Sequence, residues 1–406
     1  MAQKWKLQWP TYSDELKQNA QTDENAYVDL AICYGYGRGV KMNKKKCKKM
    51  LEERFGFRLS YESDLGETHP YASLWYGIFL WDNHDNADYL GWKKLYNPIE
   101  DRYYDSNEII NRIKSFAIDY IGFAAEAGLE DAEILYARSH RGKTRYNCTS
   151  IRKYNENVRY DRTYGYFEMA MEWYDKACQH ENPVIMLEYA DYLYQLSGGK
   201  TYGETAELAY YWYKKAAEYG NAEAQRIYGW YLEEGRFEMK NISEAVKWYV
   251  KSADQGDARS MALVGRGMLN DESLTDKTNA LNYLKMGTEK GDGLAAYILG
   301  TCYESGQYSE QSDVKAFECY KVSAVAKDVS GLYALGRCYE TGRGCDKDLK
   351  KAAEAYEECA DQDVWHKDVG KAASRLADMY DQGIGVFMNK EKAKIYDKIA
   401  SWYKDK

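Results

Sequence analysis

The residues that could carry chemistry are glycines, histidines, aspartates and cysteines, and their spacing argues against a catalytic or metal site. The segment GYGRGV at 35–40 has the glycine content of a phosphate-binding loop, but it lacks the GxGxxG spacing and follows no strand. The five histidines are scattered, without the HExxH or paired arrangement of a catalytic zinc site. We therefore expect no catalytic residue, no cofactor and no bound metal.

An aspartate-rich segment and the cysteines strengthen this expectation. Asp82, Asp85 and Asp88 resemble calcium-loop ligands, but the twelfth position counted from Asp82 is Lys93, where such a loop requires a bidentate glutamate. The nine cysteines form no CxxC pair and have no histidine nearby at zinc spacing. An odd number of cysteines without paired spacing indicates reduced thiols, and hence a cytoplasmic location.

The composition indicates a folded helical protein. Only 4 of the 406 residues are proline, and 45% are hydrophobic against 30% charged. The net charge is −8 and the isoelectric point is about 5.5, unlike the basic domains that bind nucleic acids. No segment approaches the ~18 apolar residues of a membrane span, and the N-terminus lacks the apolar core of a signal peptide. We therefore expect a soluble protein without a membrane partner.

Internal repeats define the elements on which all these residues must lie. The strings YILGTCYESG (297–306) and YALGRCYETG (333–342) agree at seven of ten places, and their glycines are 36 residues apart. A second signature follows each copy, such as AVKWYVKSADQG at 245–256. Apolar residues at i, i+3, i+4 and i+7 in both signatures predict two amphipathic helices per repeat. The small residues of the first helices in successive copies are Gly229, Gly265, Gly300, Gly336 and Ala377.

The small residue predicts a close approach between the two helices of a repeat, and the glycine-rich turns that follow predict positive φ angles where the first helix ends. Cys33, Cys302 and Cys338 each lie two residues after the small residue, which predicts packing in the core rather than reactivity. Many of the 41 tyrosines also occupy repeated positions. We expect their rings to span the helix interface with the hydroxyl near water.

With these signatures the chain resembles the Sel1-like repeat family, which is related to the tetratricopeptide repeats. The family pattern A-x-x-x-L-G-x-x-Y-x-x-G-x-G-V, with W-Y-x-K-A-A-x-x-G in the second helix, is nearly complete around 25–47, 222–256 and 293–393. The resemblance implies an all-α fold: a right-handed α-solenoid superhelix of about nine helix-turn-helix repeats over residues 25–406, with 1–24 as an N-terminal cap segment. The units begin near Asn25, Pro70, Asp131, Val184, Ala222, Ala258, Gly293, Val329 and Val369.

Two units carry inserted residues between their helices, near 82–110 and 143–163, and such inserts are usually loops on one edge of a solenoid. The first is acidic and aromatic, with Tyr89, Trp92, Tyr96, Tyr103 and Tyr104. The second, with its flanks, has eight basic and two acidic residues over 138–163. A further basic run lies at 38–58. The basic-edge residues selected here are Arg138, Arg141, Arg145, Tyr146, Arg152, Tyr154, Arg159 and Tyr160.

The pattern of this basic edge allows two interpretations. Interleaved basic and aromatic side chains could stack on nucleic-acid bases or bind an acidic protein. Alternatively, the basic loop pairs with the acidic insert one repeat away, and the lysines of 44–49 form a solvated helix face.

A groove lined by first helices is the second candidate site. If the register follows the tetratricopeptide family, the positions two before the consensus leucine and one after the small residue face this groove. Tyr, Trp and Arg are the residue types that dominate binding hot spots. The alternative is a solvated face whose aromatic rings pack on neighbouring repeats. The groove positions in the middle and C-terminal units are Arg226, Trp230, Arg266, Tyr297, Tyr333 and Arg337.

These patterns predict a non-enzymatic scaffold or adaptor that binds a protein or an extended peptide through the groove and the two inserts. One alternative is a dedicated inhibitor or immunity-type protein for a single enzyme or toxin. Another is a nucleic-acid or polyanion binder that uses the basic edge.

Overall fold

Helices account for most of the described residues. A computed structural model of the chain describes residues 9–55, 57, 69–83, 96–97, 102–103, 106–141, 164–200, 202–270 and 277–404. The chain divides into two units, Met1–Tyr189 and Ala190–Lys406. The expected all-α class is confirmed, with one addition: residues of the first insert form a two-residue antiparallel hairpin.

The first unit contains α1 (Asp14–Asn19), α2 (Glu24–Tyr36), α3 (Lys44–Phe55), α4 (Pro70–Asp82), β1 (Tyr96–Asn97), β2 (Arg102–Tyr103), α5 (Ser106–Glu126), α6 (Glu130–Ser139) and α7 (Tyr164–Cys178). The helix α8 (Pro183–Leu196) contains the boundary between the units. The second unit continues with α9 (Glu204–Glu218), α10 (Ala222–Glu234), α11 (Ile242–Asp254), α12 (Ala258–Asn270), α13 (Lys277–Glu289), α14 (Gly293–Ser305), α15 (Asp313–Val325), α16 (Val329–Thr341), α17 (Leu349–Ala360), α18 (Lys367–Gln382) and α19 (Lys390–Lys404).

Local sequence sets where these helices begin and end. The helix α16 begins after Asp328, whose carboxylate accepts a hydrogen bond from the backbone N–H of Gly331 at 3.0 Å. It ends at Gly342, which has a φ of 76° and donates its N–H to the Cys338 carbonyl at 2.8 Å. Gly344 in the same turn has a φ of 75°. The positive φ angles predicted for the glycine-rich turns are therefore confirmed.

Each first helix packs against the second helix of its own repeat at the small residue. A Cβ added to Gly300 would lie 2.6 Å from the ring of Tyr320, and one added to Gly336 would lie 2.5 Å from the ring of Tyr356. In these two repeats no side chain fits in that space, so the helices approach this closely only because the residue is glycine. Both tyrosines are at most 2% exposed, so this contact forms the centre of each repeat.

First helices of successive repeats also contact one another. In the second unit α12 packs on α14, α14 on α16 and α16 on α18, while in the first unit α2 packs on α4. Side chains from neighbouring first helices therefore meet on a common surface. We call this surface the first-helix face; it consists of the first-helix side chains near the small residue that reach the first helix of the next repeat.

Candidate functional site

The first-helix face is built around ion pairs between successive repeats. Glu233 of α10 lies four residues after the small residue Gly229, and Arg266 of α12 lies one residue after Gly265. The guanidinium of Arg266 donates hydrogen bonds to both carboxylate oxygens of Glu233, at 2.8 and 2.9 Å. The predicted groove position Arg266 therefore lies on this face, and its side chain is still 36% exposed.

A buried tyrosine of the second helix completes this network. The hydroxyl of Tyr249 on α11 donates to Glu233 Oε2 at 2.8 Å, and the residue is 1% exposed. Burial and the adjacent carboxylate raise the pKa of Tyr249 well above its ordinary value. The expectation that such hydroxyls lie near water is wrong at this position, because the hydroxyl is held inside the repeat by an acid.

The same arrangement recurs between α14 and α16. The hydroxyl of Tyr320 donates to Glu304 Oε2 at 2.6 Å, and Arg337 lies 3.6 Å from Glu304 Oε1. Arg343 of the following turn donates to the same oxygen at 2.7 Å and to Asp313 at 2.9 Å. Arg337 is thus the looser partner of Glu304, and half of its side chain is exposed.

A third network joins α16 and α18. Glu340 accepts a hydrogen bond from the Tyr356 hydroxyl at 2.8 Å and another from the guanidinium of Arg375. Burial would raise the pKa of Glu340, but the hydrogen bonds from Arg375 and Tyr356 outweigh it and hold the pKa below its ordinary value. Arg375 lies two residues before its small residue rather than one after it, so the arginine reaches the glutamate from a different helical position.

In the first unit an arginine lies on the earlier first helix and the glutamate lies on the later one, the reverse of the order in the second unit. Arg138 on α6 lies one residue after its small residue and forms a two-pronged contact with Glu188 on α8. Arg141 lies 3.2 Å from Glu188 and also donates to its backbone carbonyl at 2.9 Å. The Tyr174 hydroxyl donates to Glu188 at 2.7 Å. Although burial opposes it, the hydrogen bond from Arg138 lowers the pKa of Glu188. The two described basic-edge arginines therefore share one glutamate.

The repeat formed by α12 and α13 carries leucines in place of these polar residues. Leu269 occupies the glutamate position and Leu284 the tyrosine position, where it packs against Gly265. The next first helix has Thr301 at the position of the arginine. Glutamate, tyrosine and arginine are thus all absent here, whereas the repeat of α8 and α9 keeps the tyrosine, Tyr213, which donates to Asp191 instead.

The predicted groove tyrosines lie at the N-terminal side of the same helices. Tyr297 and Tyr333 are half-buried, and each ring contacts the tyrosine of its own second helix. Asp368 at the start of the next first helix, α18, is 3% exposed and accepts hydrogen bonds from Ser330 and Lys371, both at 2.8 Å. The ammonium of Lys371 lies 5.5 Å from the centre of the Tyr333 ring. A charged pair of α18 therefore lies beside the aromatic ring of Tyr333.

The remaining groove positions are on α10. Arg226 lies 3.0 Å from Glu223 and 3.7 Å from Asp257 at the start of the next first helix. The half-buried ring of Trp230 lies 5.3 Å from the guanidinium of Arg236. All six predicted groove residues therefore lie on first helices, and Arg226, Arg266 and Arg337 reach an acid of an adjacent repeat.

The inserts are only partly described. Tyr96 of β1 lies opposite Tyr103 of β2 in the hairpin. The other insert and basic-edge residues selected from the sequence lie outside the described residues: Tyr89, Trp92, Tyr104, Arg145, Tyr146, Arg152, Tyr154, Arg159 and Tyr160.

Sequence reasoning missed the acidic members of the first-helix face. Glu233, Glu304 and Glu340 hold the networks together, but in the sequence a single acid on an amphipathic helix cannot be told from an ordinary solvent-exposed residue. A signal for them does exist within the chain: a glutamate four residues after the small residue occurs together with a tyrosine in the second helix and an arginine in the next first helix.

The cysteines pack as predicted. Cys33, Cys302 and Cys338 are buried free thiols, and burial raises their pKa to about 11, 11 and 12 respectively. Thiols with such pKa values carry little thiolate at neutral pH. Within the part of the chain that the structure describes, no three His, Cys, Asp or Glu side chains are grouped as metal ligands. None of the described helices is long and apolar enough to cross a membrane.

Comparison with known proteins identifies the class to which this arrangement belongs. A family model for the Sel1 repeat matches residues 25–53, 167–182, 186–221, 222–257, 293–324, 329–363 and 370–396, more than half of the chain. The chain therefore belongs to the Sel1 repeat family. Proteins of this family are generally non-catalytic and bind other proteins through their repeats.

Solved structures show the same fold. A protective antigen of uropathogenic Escherichia coli with an SLR fold is 19% identical, covers 95% of this chain and 78% of its own, and gives a TM-score of 0.59. A Sel1 repeat protein from Oxalobacter formigenes is 20% identical, with 86% and 94% coverage and a TM-score of 0.60. No curated protein matches the chain.

Proposed function

We propose that this protein is a non-enzymatic scaffold that binds a protein or an extended peptide along the first-helix face of α10 to α18. The observation that supports the proposal is the exposure of the arginines that line this face. Arg266 is held by two hydrogen bonds to Glu233 of the preceding repeat, and Arg337 lies 3.6 Å from Glu304, yet 36% and 50% of their side chains remain exposed. The guanidinium of Arg266 is thus pre-positioned for a second acceptor on a partner, which lowers the entropy cost of binding, and the guanidinium of Arg337 is accessible to another.

The aromatic residues add apolar contact area to these fixed charges. Tyr297 and Tyr333 are half-buried, so each ring is anchored within the protein and still offers one surface to a ligand. Rigid aromatic and arginine side chains are the types that dominate measured interface hot spots. A polypeptide with carboxylates and apolar side chains would match this combination.

We further propose a cytoplasmic location. The eight cysteines in the described part of the chain are all free thiols, and seven of them are buried. Free thiols in this number are typical of proteins that work in a reducing compartment.

The proposal is tested by capture of partners from a cell lysate with matched variants. The test variant replaces Arg266, Tyr297, Tyr333 and Arg337 by alanine. The control variant removes two lysines and two tyrosines that are exposed on second helices or at their ends, Lys247, Lys321, Tyr211 and Tyr219. We expect the test variant to lose a partner that the unmodified chain and the control variant both retain, with unchanged helical circular dichroism. Equal capture by all three chains would exclude the first-helix face as the binding surface.

The captured material also separates the scaffold from its alternatives. Several partners indicate a scaffold, whereas a single enzyme bound in a 1:1 complex would indicate a dedicated inhibitor. Nucleic acid that is released steeply with increasing salt would indicate a polyanion binder.

A further inference from the structure

The N-terminal segment of the chain lies on the first-helix face of the first unit. Residues 9–13 form neither helix nor strand and precede α1. The ring of Trp9 packs edge-on against Tyr36 of α2 at 4.6 Å and against Trp75 of α4 at 5.4 Å. Trp9 therefore bridges the first helices of two successive repeats.

Trp9 occupies the place that an ion pair fills elsewhere. Trp75 lies two residues before the small residue Gly77, which is the position of Arg375 in the second unit. Arg375 reaches back from there to Glu340 near the end of the preceding first helix, and Trp9 reaches from Trp75 to Tyr36, the last residue of its helix. An aromatic side chain from outside the repeats thus adds to the contacts that α2 and α4 make directly, in which Tyr36 donates to Asp82 at 2.9 Å and Tyr71 to Asp29 at 2.7 Å.

Tyr12 is a second anchor of the same segment. Its backbone N–H donates to the carbonyl of Arg38 at 3.0 Å, and its ring lies 6.3 Å from that of Tyr34. The guanidinium of Arg38 lies 5.8 Å from the centre of the Trp9 ring. A segment without helix or strand that is held by two aromatic anchors, a cation–π contact and one main-chain hydrogen bond is attached in the way that a bound peptide ligand is.

The attachment is incomplete. The indole N–H of Trp9 is buried and has no acceptor among the residues that the structure describes. Leaving a buried donor unsatisfied weakens the contact relative to its buried area. Thr11 between the anchors is exposed, and Trp9 and Tyr12 are only half-buried. A segment held in this way can be exchanged for a competing segment of the same kind.

We propose that the first-helix face of α2 and α4 is a binding site for extended peptides with a tryptophan and a tyrosine three residues apart, and that residues 9–12 fill it in the unbound protein. This inference rests on the proposed protein-binding function and adds a second binding site, in the first unit, with its own class of ligand and its own regulation. A partner with such a motif must displace the chain's own segment. The segment therefore lowers the apparent affinity of the site for the partner.

The experiment uses the full chain and a fluorescein-labelled peptide with the sequence of residues 7–14, LQWPTYSD. Peptide binding is followed by anisotropy for the unmodified chain and for the Trp9→Ala/Tyr12→Ala variant. We expect the variant to bind at least tenfold more tightly, because its site is vacated. The peptide LQAPTASD serves as the control and should bind neither chain. Equal affinity of the two chains, or of the two peptides, would overturn the proposal.

Two further measurements locate the site. Adding Trp75→Leu or Tyr36→Leu to the vacated variant should weaken peptide binding at least tenfold, with circular dichroism as the check on folding. A second measurement does not depend on these variants: the unmodified chain is labelled with 5-fluorotryptophan and observed by ¹⁹F NMR. The resonance of Trp9 is assigned as the one that is missing from the Trp9→Ala variant. Saturating LQWPTYSD should move this resonance to the position of a solvated indole, and an unmoved resonance would contradict displacement. If peptide binding succeeds while the capture experiment fails, the proposed scaffold role fails and this site stands.

Discussion

The hydroxyl of Tyr356 donates a hydrogen bond of 2.8 Å to Glu340, although the two residues lie on different helices of the same repeat. Tyr356 is fully buried, and its ring covers Gly336. One side chain therefore fixes two things: the close approach of the helices and the orientation of the glutamate. The glutamate in turn holds Arg375 of the next repeat. Packing within a repeat is thus coupled to the alignment of neighbouring first helices.

Removal of this hydroxyl should destabilise the protein without creating a cavity. We expect Tyr356→Phe to lower the free energy of unfolding by about 1–2 kcal/mol, because Glu340 loses a buried donor while the ring contacts remain. The measurement is the midpoint of urea denaturation. Tyr202→Phe is the control, since Tyr202 is 69% exposed, and it should leave the midpoint unchanged. A loss of the same size in both variants would show that the hydroxyl has no specific role.

The acidic members of the networks should make stability depend on pH. The pKa of Glu340 is lowered in the folded chain from an ordinary value of 4.5. A carboxylate with a lowered folded pKa stabilises the fold above its unfolded pKa, and this contribution is lost as the pH falls through the folded pKa. We therefore expect the urea midpoint to decrease from about pH 5 towards pH 3, and to decrease less in Glu340→Gln.

The control for pH dependence is Glu354→Gln, which changes a 61% exposed glutamate on α17. It should show the same pH profile as the unmodified chain. A Glu340→Gln profile that matches this control would exclude a special contribution from Glu340.

The close approach at the small residue gives a third prediction. A Cβ at position 300 would lie 2.6 Å from the Tyr320 ring, so Gly300→Ala must push the two helices apart or turn the ring. We expect a loss of about 1–3 kcal/mol in unfolding free energy, measured by urea denaturation, despite the higher helix propensity of alanine. Thr301→Ala, one residue further along the same helix, removes a hydroxyl that bonds only within its own helix and should change stability by less than about 0.5 kcal/mol. Equal stability of Gly300→Ala and Thr301→Ala would contradict the packing role of the glycine.

The elements themselves were readily predicted from the sequence, since helix periodicity, the small residues and the turn glycines all repeat. The contact of Gly300 with Tyr320 and the burial of Cys302 follow from that repetition. The network of Glu304, Tyr320 and Arg337 does not, because periodicity places each side chain on a face but leaves open how helices of successive repeats cross. Which acid meets which arginine depends on that crossing, and Arg375 reaches its glutamate from a position that the repeat pattern does not mark.

The N-terminal segment illustrates the same limit. Trp9 lies outside every repeat, so no pattern connects it with Tyr36 or Trp75. The contact arises because an aromatic side chain from outside the repeats packs against Tyr36 of α2 and Trp75 of α4. A tryptophan close to a proline in a non-repetitive segment was the only sign of it in the sequence.

Because α12 and α13 carry leucines at the glutamate and tyrosine positions, the pair of polar residues can be introduced there by substitution. Leu284→Tyr alone would bury a hydroxyl without its acid, and Leu269→Glu alone would place a carboxylate beside the apolar cluster around Leu284 and Leu299. Each single change should therefore destabilise the protein. In the double variant the hydroxyl can donate to the carboxylate. Its loss of unfolding free energy should therefore be about 0.5–3 kcal/mol smaller than the summed losses of the two single variants. Urea denaturation of the four chains measures this coupling.

Repeating the cycle with Leu269→Gln in place of Leu269→Glu supplies the control, because a neutral amide is a weaker acceptor and should give a smaller coupling. Strict additivity in both cycles would mean that tyrosine and glutamate occur together in three other repeats without acting together. The positions of the arginines on the first-helix face would then need another explanation.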